Sequence, residues 1–235
     1  MKSKNFKIAG LVILIVAGVG AWSPPNGEDL IVGTPNTTSS GTGYLGVIGT
    51  GNDLTGKGLL VTGDSNTVNQ NLGFVAGSNN LVTGNRSRCL VSGNANSVNG
   101  TSIFVSGTNN LMDGAATGSG TTNSGIIGGN NNGSSAHHWM MGYNNVVSGD
   151  YGIALGYGNT ASSASGYAFG VGLNMNQTSA VALGRYNATM ASGDVFVVGT
   201  GSSDTNRITA LRVTSDGGVI LGRAQGDISM GAYAN

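Results

Sequence analysis

The stretch IFVSGTNNLMDG, residues 103–114, sets an apolar run against Gly107, places Asn110 three residues later and returns through Met112. Variants of it recur along the chain as LLVTGDSNTV, FVAGSNNLVTG, LVSGNANSVNG, IALGYGNTAS and AVALGRYNAT. The glycines that close the apolar triplets are Gly49, Gly63, Gly77, Gly93, Gly107, Gly128, Gly142, Gly156, Gly170, Gly184 and Gly199. Their spacings are 14, 14, 16, 14, 21, 14, 14, 14, 14 and 15, so seven of ten are identical. A fixed short period with no 3.6-residue pattern inside it predicts a β-solenoid in which each repeat is one coil. Such a coil, at roughly 3.3 Å per residue, has a perimeter of about 46 Å, enough for two short strands and two turns around a thin core. Coils stacked about 4.8 Å apart make a rod about 50 Å long.

Asparagine falls three residues after the glycine in nine of the eleven coils: Asn52, Asn66, Asn80, Asn96, Asn110, Asn131, Asn145, Asn159 and Asn187. Glycine removes the Cβ where the chain leaves the strand, and asparagine tolerates left-handed φ and bonds neighbouring backbone. Gly107 with Asn110, Gly156 with Asn159, and Gly184 with Asn187 therefore read as structural corners. Stacked at one phase, the amides can also bond one another as a ladder. Five residues past the glycine, Leu54, Val68, Val82, Val98, Met112 and Val147 are expected to point inward on the return strand.

The triplets themselves do not alternate as a half-solvated strand should. Ile153-Ala154-Leu155, Val181-Ala182-Leu183 and Phe196-Val197-Val198 are apolar on both faces. A thin roll buries one face of each strand, so the other face needs a partner, and continuous apolar runs are what doubly buried strands show. Either the central column, which includes Val61, Val105, Ala154 and Ala182, or the column flanking it is expected to mediate self-association. A one-phase stripe on identical chains favours a closed cyclic oligomer.

Two intervals exceed the period, one around Asn85-Arg86-Ser87-Arg88 and one within GAATGSGTTNSG after Gly107. Insertions in solenoids bulge outward and often carry binding, which makes Arg86 and Arg88 candidate contacts. After residue 199 the pattern changes: ALRVTSDGGVILG alternates, turns at Asp216-Gly217 and returns, which reads as a hairpin capping the last coil over residues 200–235. At the other end Lys2, Lys4 and Lys7 precede the apolar run IAGLVILIVAGVGA, and Val19-Gly20-Ala21 has the small residues of a cleavage site. Residues 1–21 thus read as an export signal, residues 22–42 as an extended leader and residues 43–199 as the repeats.

Composition narrows the partners and the chemistry. Ten basic and ten acidic side chains leave no net charge with which to attract nucleic acid or an anionic membrane. The lone Cys89 cannot form an internal disulfide and reads as a small half-buried residue. Asp53, Asp64, Asp113, Asp150 and Asp194 sit at different phases of the repeat, whereas a calcium-binding roll needs aspartates at one phase. His137-His138 is the only histidine cluster, and adjacent histidines on a loop read as solvated, so no metal site is expected. No nucleophile elbow, P-loop lysine or paired carboxylates with suitable spacing are found, and neither a catalytic site nor a cofactor is expected.

The repeat, in AVALGRYNATMASGD, IALGYGNTASSASG and YAFGVGLN, resembles the head of trimeric autotransporter adhesins of the YadA type over residues 43 to 199. That resemblance implies an all-β, left-handed parallel β-roll of 14-residue coils, assembled as a homotrimer and displayed outside the cell, where it binds host or matrix surfaces such as collagen. Carried over, the matching positions are Val181, Ala182, Leu183 and Gly184, with Ile153, Ala154, Leu155 and Gly156 in an earlier coil. The family's Asn-Ser pair before the triplet is Ser179-Ala180 here, and its coiled-coil stalk and membrane barrel have no counterpart before Asn235. The closing segment resembles the region C-terminal to such heads in phage-tail and secreted bacterial proteins. The reading is an exported, stalkless head, extracellular or at the cell surface with the periplasm as the other compartment. It is expected to act without catalysis as an adhesin or structural component, through multivalent contact with a matrix protein or surface glycan. The alternative is a β-solenoid enzyme acting on polysaccharide, which requires two carboxylates adjacent on one coil face.

Overall fold

The corner phrase works because the coils are in register. In the computed structural model, which describes residues 30–39, 45–83, 88–113 and 121–222, Gly107 pairs with Gly93 below and Gly128 above, and Gly142, Gly156, Gly170, Gly184 and Gly199 continue the same column. The two long intervals therefore leave the register intact. The expected export signal, Arg86 and most of the bulge after Gly114 lie outside the described residues.

Each coil runs through a front strand that ends near the corner glycine and a shorter back strand. Front strands include Leu59–Asp64, Gly73–Ser78, Cys89–Asn94, Trp139–Tyr143, Ile153–Tyr157, Tyr167–Val171 and Val181–Arg185. Back strands include Asp53–Thr55, Thr67–Asn69, Leu81–Thr83, Leu111–Asp113 and Val146–Val147. All pairings between coils, up to Asp194–Thr200, are parallel. Among the described residues there is no helix, and the protein is an all-β parallel β-solenoid with turns of about 14 residues.

Glycine is required at the corner for two reasons. Gly107 has φ +135°, and a Cβ on it would sit 1.7 Å from the carbonyl oxygen of Gly128 in the next coil. The same clash, at 1.7–1.9 Å, meets every corner glycine from Gly49 to Gly170. The second left-handed position is not the ladder asparagine, as its residue type suggests, but the residue before it: Ser65, Asn79, Ala95, Asn109, Asn130 and Asn144 have φ between 51° and 57°. Their side chains are exposed or half-buried, so a varied set is tolerated there and no single letter marks the position.

The asparagine that follows is buried and fully bonded. Asn110 donates from its backbone N and from Nδ2 to Oδ1 of Asn96 (3.1 and 3.0 Å), and Nδ2 also donates to the Gly128 carbonyl (2.8 Å). Its own Oδ1 accepts from the backbone N and Nδ2 of Asn131. Both amide hydrogens and both lone pairs are thus used, which is what a buried amide needs. The ladder runs unbroken from Asn36 through Asn52, Asn66, Asn80, Asn96, Asn110, Asn131 and Asn145 to Asn159. It ends at Leu173, whose backbone N takes the last Oδ1 (3.0 Å), and Asn187 instead bonds the backbone of Asn174.

Asn36 shows that the stack begins before Gly49. Leu30–Val32 pairs with the strand Leu45–Ile48 and Thr37–Ser39 pairs with Asp53–Thr55, so residues placed in the leader form a first coil. The signal for it was Gly33-x-x-Asn36, sixteen residues below Gly49 and obscured by Pro35.

Three columns fill the interior. The central triplet position is fully buried in Val61, Val75, Val91, Val105, Ile126, Met140, Ala154, Ala168 and Ala182. The return position is buried in Leu54, Val68, Val82, Val98, Met112, Val147, Ala161 and Met175, and a third column holds Leu45, Leu59, Cys89, Ile103, His138 and Ala180. Where one column narrows another fills. A Cβ on Gly133 would meet His138 Nε2 at 2.0 Å and Met140 Cε at 2.8 Å, and one on Gly166 would meet Met175 Cε at 1.5 Å. Interiors close-pack in this way because voids lose dispersion contacts. Cys89 is accordingly fully buried, at 3% exposure, and not half-buried.

The upper end closes with the expected hairpin. Thr209–Thr214 pairs antiparallel with Asp194–Thr200, and Val219–Leu221 pairs with Thr209–Thr214 around a turn in which Gly217 has φ +88°. Arg212 fastens it: its guanidinium holds both oxygens of the buried Asp194 at 2.8–3.1 Å, and Asp194 also accepts from Ala191 N.

Candidate interaction face

With the central column inside, the flanking positions of each triplet face outward on the front sheet. The first outward column carries Leu60, Phe74, Leu90, Phe104, Trp139, Ile153, Tyr167, Val181 and Phe196, exposed or half-buried throughout. The second changes along the rod. It is Val32 and Ile48 in the two lowest coils, Thr62, Ala76, Ser92 and Ser106 in the next four, and Ile127, Met141, Leu155, Phe169, Leu183 and Val198 in the upper ones. Some of these side chains are as exposed as Trp139 at 46% and Met141 at 49%, values that mark a surface feature and not the edge of the core.

The back sheet presents a different surface. Its outward column at the end of each back strand is Thr55, Asn69, Thr83, Asn99, Asp113, Ser134, Ser148, Ser162 and Asn176, all small and polar. Its other outward column is mixed, with Leu81, Leu111 and Val146 exposed among Asp53, Thr67, Ser97 and Thr160, so the front face carries the continuous apolar stripe and the back face is mostly polar with isolated apolar residues.

The first outward column lacks a side chain at Gly46, near its lower end, and at Gly125, in its middle. Gly125 stands where a large outward side chain is due, and the Trp139 ring folds into the space, so that a Cβ on Gly125 would lie 2.4 Å from Trp139 Cζ3. Beside it opens a shallow groove of about 660 Å³ walled by Leu72, Leu90, Phe104 and Trp139, with Arg88 and Asn123 among its lining residues. Arg88 follows the first insertion and Asn123 the second, so the structure brings the ends of both bulges to one place although they belong to strands two coils apart. Of the residues carried over from the family motif, Val181 and Leu183 face outward and are half-buried, Ala182 is in the core at 0% exposure, and Gly184 turns the corner at φ +92°.

Most of the aspartates considered for chemistry have structural partners. Asp64 accepts from Thr50, Asp150 from Ala136 N at 3.0 Å, Asp113 from Asn99, and Asp194 from Arg212. His138 is not solvated, as an exposed loop pair would be, but wholly buried: Nδ1 bonds the Ser135 carbonyl at 2.8 Å, and Nε2 has no partner. Burial lowers its pKa from 6.5, against the opposing pull of the Ser135 carbonyl and the Asp150 carboxylate. His137 stacks on Tyr151 with ring centroids 4.7 Å apart. Among the described residues no group of three or more His, Cys, Asp or Glu is placed to hold a metal ion. Among them, too, no helix is long and apolar enough to cross a membrane.

No protein-family model, curated protein or solved structure matches this chain. The feature that stands out is the contrast between the two outer faces.

Proposed function

We propose that the chain is an exported, non-enzymatic β-roll that associates with itself as a homotrimer and serves as an adhesin-like or structural surface protein. The observation that supports this is the outward apolar column of the front sheet, repeated from Leu60 to Phe196 except at Gly125, while the back face carries only scattered apolar residues such as Leu81 and Val146. Monomeric proteins rarely leave so long an apolar stripe in water, and a stripe of one phase on identical chains closes naturally into a ring. The likeness of the repeat to YadA-type heads favours three copies and display outside the cell, as does the signal-like pattern of residues 1–21. Three copies then meet a matrix protein or a surface glycan through many weak contacts, where avidity replaces a single strong site. The tests are light scattering of the chain from residue 22 onward, expected to give three times the single-chain mass, and binding of that species to a matrix-protein and glycan array. A well-folded monomer that retains nothing on the array would sink the reading.

A further inference from the structure

We infer that the chains meet through the upper half of the front face together with the closing hairpin, and that the lower half of that face stays uncovered. This rests on the self-association proposed above and names the surface that performs it.

From Leu60 to Phe104 the coils present an apolar column one residue wide, since the small or polar Thr62, Ala76, Ser92 and Ser106 occupy the second; below them Val32 and Ile48 make the second column apolar but Gly46 breaks the first. In the row of Ile127 the first column is Gly125, and from Trp139 and Met141 upward both columns are apolar. The hairpin prolongs that double column, because residues paired across antiparallel strands share a face. Phe196 pairs with Val213 and Val198 with Leu211, and these pair in turn with Val219 and Leu221. Val219 is 62% exposed and Leu221 39%, with Ile220 on the strand's other side at 46%, so this last strand offers apolar side chains to a partner on the seam face. The groove at Gly125 marks the boundary between the two zones.

Area decides between them. Eight rows about 4.8 Å apart, from the strand Thr121–Gly129 to the strand Val219–Leu221, by two columns about 14 Å wide give roughly 540 Å² of flat face before side-chain relief is counted. That approaches the roughly 800 Å² per partner of a standard interface. Four lower rows, from Leu59–Asp64 to Ser97–Thr108, with a single column about 7 Å wide offer only about 130 Å², too little for a stable contact. The partner that fits is a second copy of this chain, whose face is equally apolar and presents the same rows.

The test compares charges placed on the two zones. Leu183→Glu and Val213→Glu are expected to reduce the mass in light scattering to that of one chain, and Leu60→Glu and Leu90→Glu to leave the oligomer intact. Equal dissociation by both pairs, or dissociation by the lower pair alone, overturns the inference while leaving self-association standing. A monomeric wild-type protein overturns both. Cysteine labelling gives a second readout that needs no disruption. Met141 and Leu60 are similarly exposed on one chain, at 49% and 42%, and the native Cys89 is buried. A bulky maleimide is expected to label Met141→Cys at least tenfold more slowly than Leu60→Cys in the oligomer, and equal rates contradict the inference.

Discussion

The lower and upper halves of the rod share a corner and a core, yet they differ on the outside. Gly77 and Gly156 make the same turn, Asn80 and Asn145 the same rung, and Val75 and Ala154 the same inward contact. Beside them Ala76 gives way to Leu155, and Ser92 to Phe169, on the outward column. What every coil repeats serves the stack, and what changes between the halves is where function is to be sought. Substitutions at the two kinds of position separate them.

The largest effect is expected from the shared corner. Gly156→Val places a branched side chain at φ +122° and against a carbonyl 1.9 Å from the Cβ site, so a loss on the order of 4 kcal/mol is expected, and Gly77→Val should match it. Chemical denaturation of both variants checks this. If one half tolerates the change, the halves do not share a corner.

The ladder comes next. Asn110→Ala leaves the backbone N and Nδ2 of Asn131 without their acceptor and removes a donor from the Gly128 carbonyl, at about 3 kcal/mol for the buried groups stranded. Asn187→Ala, outside the ladder, strands no neighbouring amide side chain and should cost less. Thermal unfolding of the two side by side reads the difference, and equal losses would mean that the ladder adds nothing beyond local bonding.

At the upper end Arg212→Met leaves Asp194, whose side chain is 0% exposed, without its ion-pair partner. Because Arg212 is about a third exposed, the loss is discounted to about 2 kcal/mol. It should appear as faster amide exchange in Thr209–Thr214 than in the lower coils. Uniform exchange along the rod would show that the hairpin is not held by this pair.

The smallest effect is a pH dependence seated in one coil. A histidine whose folded pKa lies below its unfolded value takes up a proton more readily when unfolded, so stability is full above about pH 6.5 and falls as the pH drops through 6.5 toward the lowered folded value. The unfolding midpoint should therefore decline between pH 7 and pH 5, and His138→Gln should flatten that decline. An unchanged slope in the variant would place the titrating group elsewhere.

Much of this was legible in the residues. Period, corner glycine and inward columns are written in side-chain type, because each depends on a Cβ that must be absent or on an apolar group that must be buried. The face available for self-association was narrowed to two columns but not chosen, since Val105 and Phe104 are equally apolar and only the turn of the coil says which is inside. His138 was misread because solvation was judged from its loop-like neighbours, whereas the space that receives it is made by Gly133 in the back strand. The groove was invisible for a similar reason: Gly125 and Trp139 meet only when coils of unequal length stack in register.

The central claim is that one outer face of the rod is a seam between identical chains. Sedimentation equilibrium of the chain from residue 22 onward, alongside Leu183→Glu, tests it most directly. The account predicts three chains for the first and one folded chain for the second, and a folded single chain for both would contradict it.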